Sequence, residues 1–365
     1  MIKDNGLLNL KSWINNSFSM PHSLCLLITN KCNASCLFCE GDKNTNHSDE
    51  LLDKEWMDVV DQGIKMGVVD WCIPGNGEPL SRIELILKIF KTIKSKSPDS
   101  FCKITTNGSL FTEDAIKEFV EIGVDRISFS LDSPDEETHD FLRGKKGVFK
   151  NVVHALGRFN HWKSIFKSDK SKINFNTVLT SKNYNQLNEL VDLASKFGVE
   201  FISLNPLRVS KYNIGRIKHS NLRLNSEQKE ETIKQIQGNA ELKLNGFEQL
   251  EMGTIANKSA EGFDENLPES SNFKNSFLNS PCFEPWLTMS INYKGDVGYC
   301  TSCGEWEKAE NIKDKSLEDI WKGDSFKYVR SCILQHKPLE SCFGCGIKIV
   351  RKNIKKELDE HFKNV

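Results

Sequence analysis

The sequence predicts an α/β protein built on parallel strands, followed by a smaller β-hairpin/α module. Three observations carry this expectation. From residue 24 to about residue 205, short apolar runs of strand length alternate with segments of helical periodicity, the pattern of parallel strands joined by crossover helices. From about residue 210 to 280 the texture changes to Asn, Ser, Glu, Lys and Gly, the composition of linkers and surface loops. At 288–293 an alternating apolar run resumes and meets Lys294-Gly295-Asp296, which reads as a hairpin with its turn at Gly295.

The elements follow in order. Residues 1–20 form an N-terminal extension in which Leu7, Leu8, Leu10, Trp13, Ile14 and Phe18 share helical spacing, a stripe that packs on the main domain. Residues 21–208 carry strands expected at 24–29, 68–73, 101–106, 125–131, 172–179 and 199–204. Helices fit between them at 53–66, 82–96, 112–122, 148–160 and 185–197. The result is six β/α units, fewer than the eight that close a full barrel. Residues 209–280 form a linker and helical insert, with one helix expected at 226–237 and a loop at 261–280. Residues 281–350 hold the hairpin module, including a helical segment at 311–321 in which Ser316 is the N-cap and Asp319 its acidic partner. A tail helix is expected at 351–365.

A chain of 365 residues holds one large domain and a small one. Lysine and arginine total 49 against 50 acidic residues, so no global field points to nucleic acid or a membrane surface as partner. The opening MIKDNGLLNL has no continuous apolar stretch of the secretory type, and no apolar run reaches the ~18 residues of a membrane span. The 12 cysteines are then expected to serve metal in a reducing cytoplasm rather than disulfides.

Three of them fall within eight residues, Cys32-Asn-Ala-Ser-Cys36-Leu-Phe-Cys39, directly after the first strand. A tight loop leaving a strand can fold three thiolates around one face of an iron–sulfur cube, leaving one iron without a protein ligand, and an open position marks a catalytic metal. Zinc held with His47, or buried thiols, are the alternatives for this loop. The C-x3-C-x2-C spacing with Phe38 before the last cysteine resembles the radical S-adenosylmethionine (SAM) superfamily. The resemblance implies an open partial (β/α)6 TIM-like barrel, a [4Fe-4S] cluster on Cys32, Cys36 and Cys39, and SAM on the open iron. It implies reductive cleavage of SAM to a 5′-deoxyadenosyl radical that abstracts hydrogen from a substrate C–H bond.

In β/α barrels the catalytic groups gather at the C-terminal ends of strands. After the second strand comes Pro74-Gly75-Asn76-Gly77-Glu78-Pro79, which resembles the family's GGE motif and implies that Asn76, Gly77 and Glu78 hold the amino group of SAM. Thr105-Thr106-Asn107-Gly108 and 127–133 resemble the strands lining the SAM pocket, with Ser130 a ribose or carboxylate contact. His139-Asp140-Phe141-Leu142-Arg143-Gly144 follows a family pattern in which Arg143 neutralises the SAM carboxylate. Asn176 and Leu204, at the ends of strands five and six, are candidate contacts on the adenosine side.

The C-terminal module resembles the SPASM/Twitch extension of the same superfamily: Cys282, Gly295 and Cys300 at their intervals, the Asn-Ile…Ile-Trp stretch, then Cys342-x2-Cys345. The resemblance implies a second, auxiliary [4Fe-4S] cluster on Cys282, Cys300, Cys342 and Cys345. No cysteine follows Cys345, so the shorter Twitch form with one auxiliary cluster is expected. Two knuckles, Cys300-x2-Cys303 and Cys342-x2-Cys345, also allow a zinc ribbon. Cys303 and Cys332 are candidate hydrogen donors to a substrate radical, while Cys25, Cys72 and Cys102 on strands read as small buried groups.

A saturated second cluster carries electrons rather than substrate, which favours oxidation or epimerisation of a small sugar- or aminocyclitol-like metabolite by an oxidoreductase. Only about two dozen residues precede strand one, too few for a separate leader-binding domain. A peptide maturase is the alternative enzyme, and a zinc- or iron-binding structural or sensor protein the alternative outside enzymology. A low-potential donor such as flavodoxin or ferredoxin is the expected partner, and the basic runs at 163–172 and 348–356 are either its dock or solvated faces.

Overall fold

The computed structural model describes residues 4–14, 18–41, 49–209, 213–239, 242–244, 282–300, 309–335 and 339. His47, Cys303, Cys342, Cys345, the loop at 261–280, the 348–356 run and the tail helix at 351–365 lie outside these. Contacts divide the chain into two compact units that do not follow chain order. One comprises Met1–Leu26, Leu51–Trp71 and Met252–Val365, the other Leu27–Glu50 and Cys72–Glu251.

The second unit carries the repeating β/α order. Strands β3 (Phe101–Thr106), β4 (Arg126–Phe129), β5 (Lys172–Leu179), β6 (Phe201–Pro206) and β7 (Leu242–Leu244) pair in parallel, each with the next. Period-two alternation sorts their side chains into two faces. Ile104, Ile127, Phe129, Phe175, Ile202 and Leu204 point one way and are essentially fully buried, covered by α4 (Glu113–Ile122) and α6 (Val148–Ile165). There Phe111, Phe119, Phe129 and Phe159 meet largely edge to face, at centroid distances from 5.1 to 6.4 Å, the arrangement ring quadrupoles prefer. The other face carries Thr105, Ser128, Asn174, Asn176, Ser203 and Asn205.

Helix starts and stops are locally encoded. Thr112 caps α4 by accepting from Ala115 N at 3.2 Å, and Gly123 ends it at φ 71°, the left-handed C-terminal residue that glycine favours. α5 (Glu136–Arg143) is capped by Asp135 and ends at Gly144, φ 60°; this short helix is absent from the periodicity reading because it is only two turns long. α3 (Ile83–Lys96) and α7 (Leu187–Lys196) follow β2 (Asp70–Ile73) and β5. The described residues between 213 and 244 hold α8 (Ile214–His219), the expected helix as α9 (Ser226–Gln237), and β7, a parallel strand the sequence did not signal because it is three residues long.

In the first unit, β1 (Ser23–Leu26) pairs in parallel with β8 (Thr288–Ile291), Ser23 opposite Thr288 and Leu26 opposite Ile291. β9 (Asp296–Gly298) returns antiparallel to β8 through Gly295 at φ 95°, and β10 (Glu310–Asn311) pairs with β9. The helical segment expected at 311–321 is corrected. Its first residues are strand and turn, and α10 spans only Leu317–Lys322 because Ser316 Oγ accepts from Asp319 N at 3.1 Å and starts the helix there. α1 (Asp4–Ile14), α2 (Asp53–Lys65) and α11 (Asp324–Leu334) complete the unit. Arg330 on α11 is buried against the Trp321 and Trp13 rings, 4.3 and 4.7 Å from their centroids, and burial without a compensating acid lowers its pKa to about 9.

Candidate functional site

The cysteine loop lies wholly in the second unit and is held from several sides. Ser35 N donates to Arg143 O and Leu37 N to Leu142 O, both at 3.0 Å, which ties the loop to the end of α5. Gly144 permits that approach: a Cβ there would lie 2.3 Å from Ser35 O. Asn33 accepts from Asn107 Nδ2 at 2.8 Å and donates to Ser109 Oγ at 2.9 Å, fixing the N-terminal half. Cys39 N donates to Cys36 O at 3.2 Å, turning the chain between the last two thiols. Cys32 is exposed, and Cys36 and Cys39 are half-buried.

The glycine turn after β2 docks onto the start of this loop. Gly77 N donates to Thr29 O at 3.1 Å and Glu78 N to Lys31 O at 2.7 Å, and a Cβ on Gly77 would fall 2.4 Å from Lys31 O. A Cβ placed on Gly41 would lie 3.4 Å from Cys39 Sγ and 3.6 Å from the carbonyl oxygen of Asn76. The last thiol and the turn's backbone therefore border the same small space. Glu78 itself points inward. Its carboxylate accepts from Leu80 N at 3.0 Å, Thr106 Oγ1 at 2.6 Å and Asn107 N at 2.8 Å. Burial pushes its pKa up while these donors oppose the shift. Within the protein this carboxylate holds the turn in place, tying Leu80, Thr106 and Asn107 to it.

Arg143 is also committed within the protein. Its Nη2 pairs with Asp132 Oδ2 at 2.7 Å, with side chains 8% and 0% exposed. Its Nη1 lies 3.8 Å from Cys36 Sγ, and the guanidinium sits over the Phe38 ring at 5.3 Å. Asp132 accepts in addition from Val178 N at 3.0 Å. Burial raises the Cys36 thiol pKa, and Arg143 is the largest influence drawing it back down. His139, whose Nδ1 accepts from Asp132 N at 3.2 Å, is held well below its ordinary pKa by burial and then by Arg143, so its imidazole is neutral. Arg143 is therefore partnered within the protein by Asp132 and Cys36, while its Nε has no hydrogen-bond partner among the described residues.

Ser130 follows β4, its amide donating to Thr106 O at 2.8 Å. Asn176 stands opposite Ser203 on the polar strand face and accepts from Asn205 Nδ2 at 3.3 Å. Leu204 is fully buried on the opposite face with Ile202, so a contact from this position is limited to its backbone. Ser203 and Asn205 are the polar side chains that β6 offers instead, and period-two alternation from Asn176 through the strand register is the signal that finds them. Sequence reading also missed Asp132, Asn213 and Arg216. Asn213 Nδ2 donates to Phe38 O at 2.9 Å, and Arg216 donates to Leu37 O at 3.3 Å and to Cys39 O at 2.6 Å.

In the first unit, Cys282 is half-buried with its Sγ accepting from Glu284 N at 3.4 Å, and Cys300 is buried just beyond β9. Cys332 is half-buried on α11. Cys25 and Cys102 are buried, Cys72 half-buried.

Among the described residues no three ligand side chains converge on a point that could hold a single ion. A cube takes each of its three cysteines on a different iron, so its ligands surround a volume and need not converge. A loop carrying thiols at Cys32, Cys36 and Cys39, with a guanidinium beside Cys36 and the Asn76 carbonyl close to the last thiol, fits that requirement.

The Radical SAM superfamily model matches residues 26–203, and the SPASM iron-sulfur cluster-binding domain model matches residues 282–346. The chain is a radical SAM enzyme with a C-terminal SPASM domain; its cofactors are SAM, a [4Fe-4S] cluster and auxiliary iron–sulfur. It is 36% identical to the GTP 3′,8-cyclase of Desulforamulus reducens over 145 residues, 39% of this chain and 40% of the cyclase. It is 28% identical to the sporulation killing factor maturation protein SkfB of Bacillus subtilis over 159 residues, 42% of this chain and 37% of SkfB. The matched stretches span 40%, 56% and 48% of the length of three curated relatives. The fold is shared with Streptococcus suis SuiB bound to S-adenosylmethionine, at TM-score 0.63 and 21% identity over 93% of this chain and 73% of SuiB. No helix among the described residues is long and apolar enough to cross a membrane.

Proposed function

We propose that Cys32, Cys36 and Cys39 hold the cluster that binds SAM, and that the chain oxidises or epimerises a small hydroxylated or amino-bearing substrate. The observation that carries the site assignment is the meeting of Cys39 Sγ and the Asn76 carbonyl around Gly41. When bound, the cluster and SAM supply a 5′-deoxyadenosyl radical that takes hydrogen from a substrate C–H bond. The protein's own work is to bind and orient. Asn76 and Gly77 present backbone acceptors to the SAM amino group, with Glu78 bracing the turn. Ser130 and Asn176 offer hydrogen bonds to ribose or carboxylate, and Leu204 its backbone on the adenosine side.

Support for a polar substrate comes from the strand face lined by Ser128, Asn174, Asn176, Ser203 and Asn205, hydroxyl and amide groups suited to bonding hydroxyls and amines. A peptide substrate is the second reading, favoured by the similarity to the maturation protein SkfB. One auxiliary cluster on Cys282, Cys300, Cys342 and Cys345 is assigned to electron transfer, with a flavodoxin or ferredoxin as donor. Cys303 and Cys332 are the hydrogen donors if the outcome is epimerisation.

The test is 5′-deoxyadenosine formation by anaerobically reconstituted protein with SAM and a reductant, stimulated by small-molecule or peptide fractions of host extract. Stimulation by the small-molecule pool supports the leading reading, and stimulation by peptides alone replaces it with the maturase. No 5′-deoxyadenosine from iron-loaded protein in either case refutes the site assignment.

A further inference from the structure

Resting on the reading of Cys36 and Cys39 as cluster ligands, we infer that Arg216, on α8, the helix that follows β6, is a positioning residue for the cluster. It holds the C-terminal half of the cysteine loop in ligand geometry and brings a cation to its backbone.

The argument starts from an accounting of backbone acceptors. Carbonyls in an irregular loop have no ladder to satisfy them and need other donors. Here the three successive carbonyls of Leu37, Phe38 and Cys39 are all met by side chains from one short stretch. Arg216 Nε reaches Leu37 O at 3.3 Å, Asn213 Nδ2 reaches Phe38 O at 2.9 Å, and Arg216 Nη2 reaches Cys39 O at 2.6 Å. One guanidinium thus spans two loop carbonyls that bracket Phe38, a task suited to its planar fork and not to a lysine ammonium.

The polar contacts sit on an apolar footing. Ile217 and Leu222 are buried with Leu142 from α5, and Leu37 and Phe38 pack against that cluster. The loop is therefore clamped between α5, which takes its Ser35 and Leu37 amides, and the 213–222 stretch, which takes its carbonyls. Asn213 is itself fully buried and also donates to Arg208 O at 3.0 Å, so the clamp's own position is fixed.

Two consequences follow, and they are separable. A ligand loop held in its bound conformation before the metal arrives binds more tightly and releases more slowly. A cation close to a cluster also favours the reduced, more negative form, since cluster potentials respond to nearby charge. Arg216→Lys keeps the charge and loses the fork. Arg216→Gln loses both.

The experiment uses the full chain reconstituted anaerobically and follows the electron paramagnetic resonance signal that SAM alters, so that the auxiliary cluster does not interfere. Iron release to a chelator and the midpoint potential are both measured. Arg216→Gln is expected to release iron about tenfold faster and to shift the one-electron equilibrium about tenfold toward the oxidised form, about 59 mV more negative. Arg216→Lys is expected to release iron faster at an unchanged potential. Lys218→Gln, on the exposed side of the same helix, is expected to match the wild type in both. Wild-type release and potential in Arg216→Gln overturn the inference, as does restoration of both by Lys. A SAM-responsive signal that survives Cys36→Ser overturns the site reading, and this inference with it.

Discussion

Asp132→Asn isolates what the buried ion pair beside Cys36 contributes. The replacement keeps the size of the side chain and an oxygen for the Val178 amide, which Asp132 accepts at 3.0 Å, and removes only the charge facing Arg143. Both members are sequestered, Asp132 at 0% and Arg143 at 8% side-chain exposure, with 2.7 Å between Oδ2 and Nη2. At that burial solvent does not screen the loss, and removing one partner of a buried pair costs about 3–5 kcal/mol. The other group within hydrogen-bond reach of the guanidinium is Cys36, with Sγ 3.8 Å from Nη1. In the cluster-free protein that sulfur is a thiol whose pKa burial has raised, so Arg143 is left without a charged partner and the full cost is expected. On the proposed assignment of Cys36 as a cluster ligand, the sulfur in the cluster-loaded protein is a metal-bound thiolate, and a smaller cost is expected. The assay is urea unfolding followed by far-ultraviolet circular dichroism, anaerobically, with and without the cluster. The double replacement Asp132→Leu with Arg143→Met is expected to recover most of the loss, since apolar residues of similar volume replace buried pairs at little cost. A cluster-free Asp132→Asn protein within about 1 kcal/mol of wild type refutes the reasoning, because a cost that small belongs to an exposed pair.

Two further outcomes are expected. Gly77→Ala places a Cβ 2.4 Å from Lys31 O and 2.7 Å from the Asn30 carbonyl carbon; backbone must move, at about 1–3 kcal/mol, and SAM affinity measured by equilibrium dialysis should fall while the far-ultraviolet spectrum is retained. Asp135→Ala removes the α5 cap, whose Oδ2 accepts from Thr138 N at 2.8 Å, and should cost about 1 kcal/mol near neutral pH. Asp135 has its pKa lowered by that hydrogen bond, so its contribution is present above the unfolded carboxylate pKa of about 3.9 and is lost as pH falls through the lower folded value. The gap between wild type and variant in a pH series of thermal melts should therefore close on the acid side and stay open at neutral pH.

The parts of this protein that were legible in its sequence are those encoded over a few residues. Alternation over β3 and β5, helical spacing over α4 and α6, and the caps at Thr112 and Ser316 each need only local chemistry, and the structure has them where periodicity and capping rules put them. The cysteine loop was visible because three thiols at fixed spacing have few other uses, and the Gly75-Asn76-Gly77 turn was legible only through its place after the second strand and downstream of that loop. What the residue types did not disclose was direction. Glu78 and Arg143 carry the charges expected beside SAM, yet the fold supplies Glu78 with three internal donors and Arg143 with Asp132. A buried charge must find partners somewhere, and nothing in a linear motif says whether these come from ligand or from protein.

The clamp on the loop was illegible for a different reason. Asn213 and Arg216 lie 175 and 177 residues from Phe38 and Cys39, in a stretch whose polar composition reads as surface linker, and a single turn and a half of helix leaves no periodic trace. Their role follows from an unmet need elsewhere: a ligand loop between strand and helix exposes carbonyls that its own residues cannot satisfy. Iron–sulfur loops of this spacing therefore specify, in their sequence, the ligands they offer and, by their unsatisfied backbone, the existence of donors whose address only the fold provides. For this chain the address is the helix directly after β6, so the segment most easily dismissed as a linker is the one that meets the backbone of the cysteine loop, the loop proposed to hold the cluster.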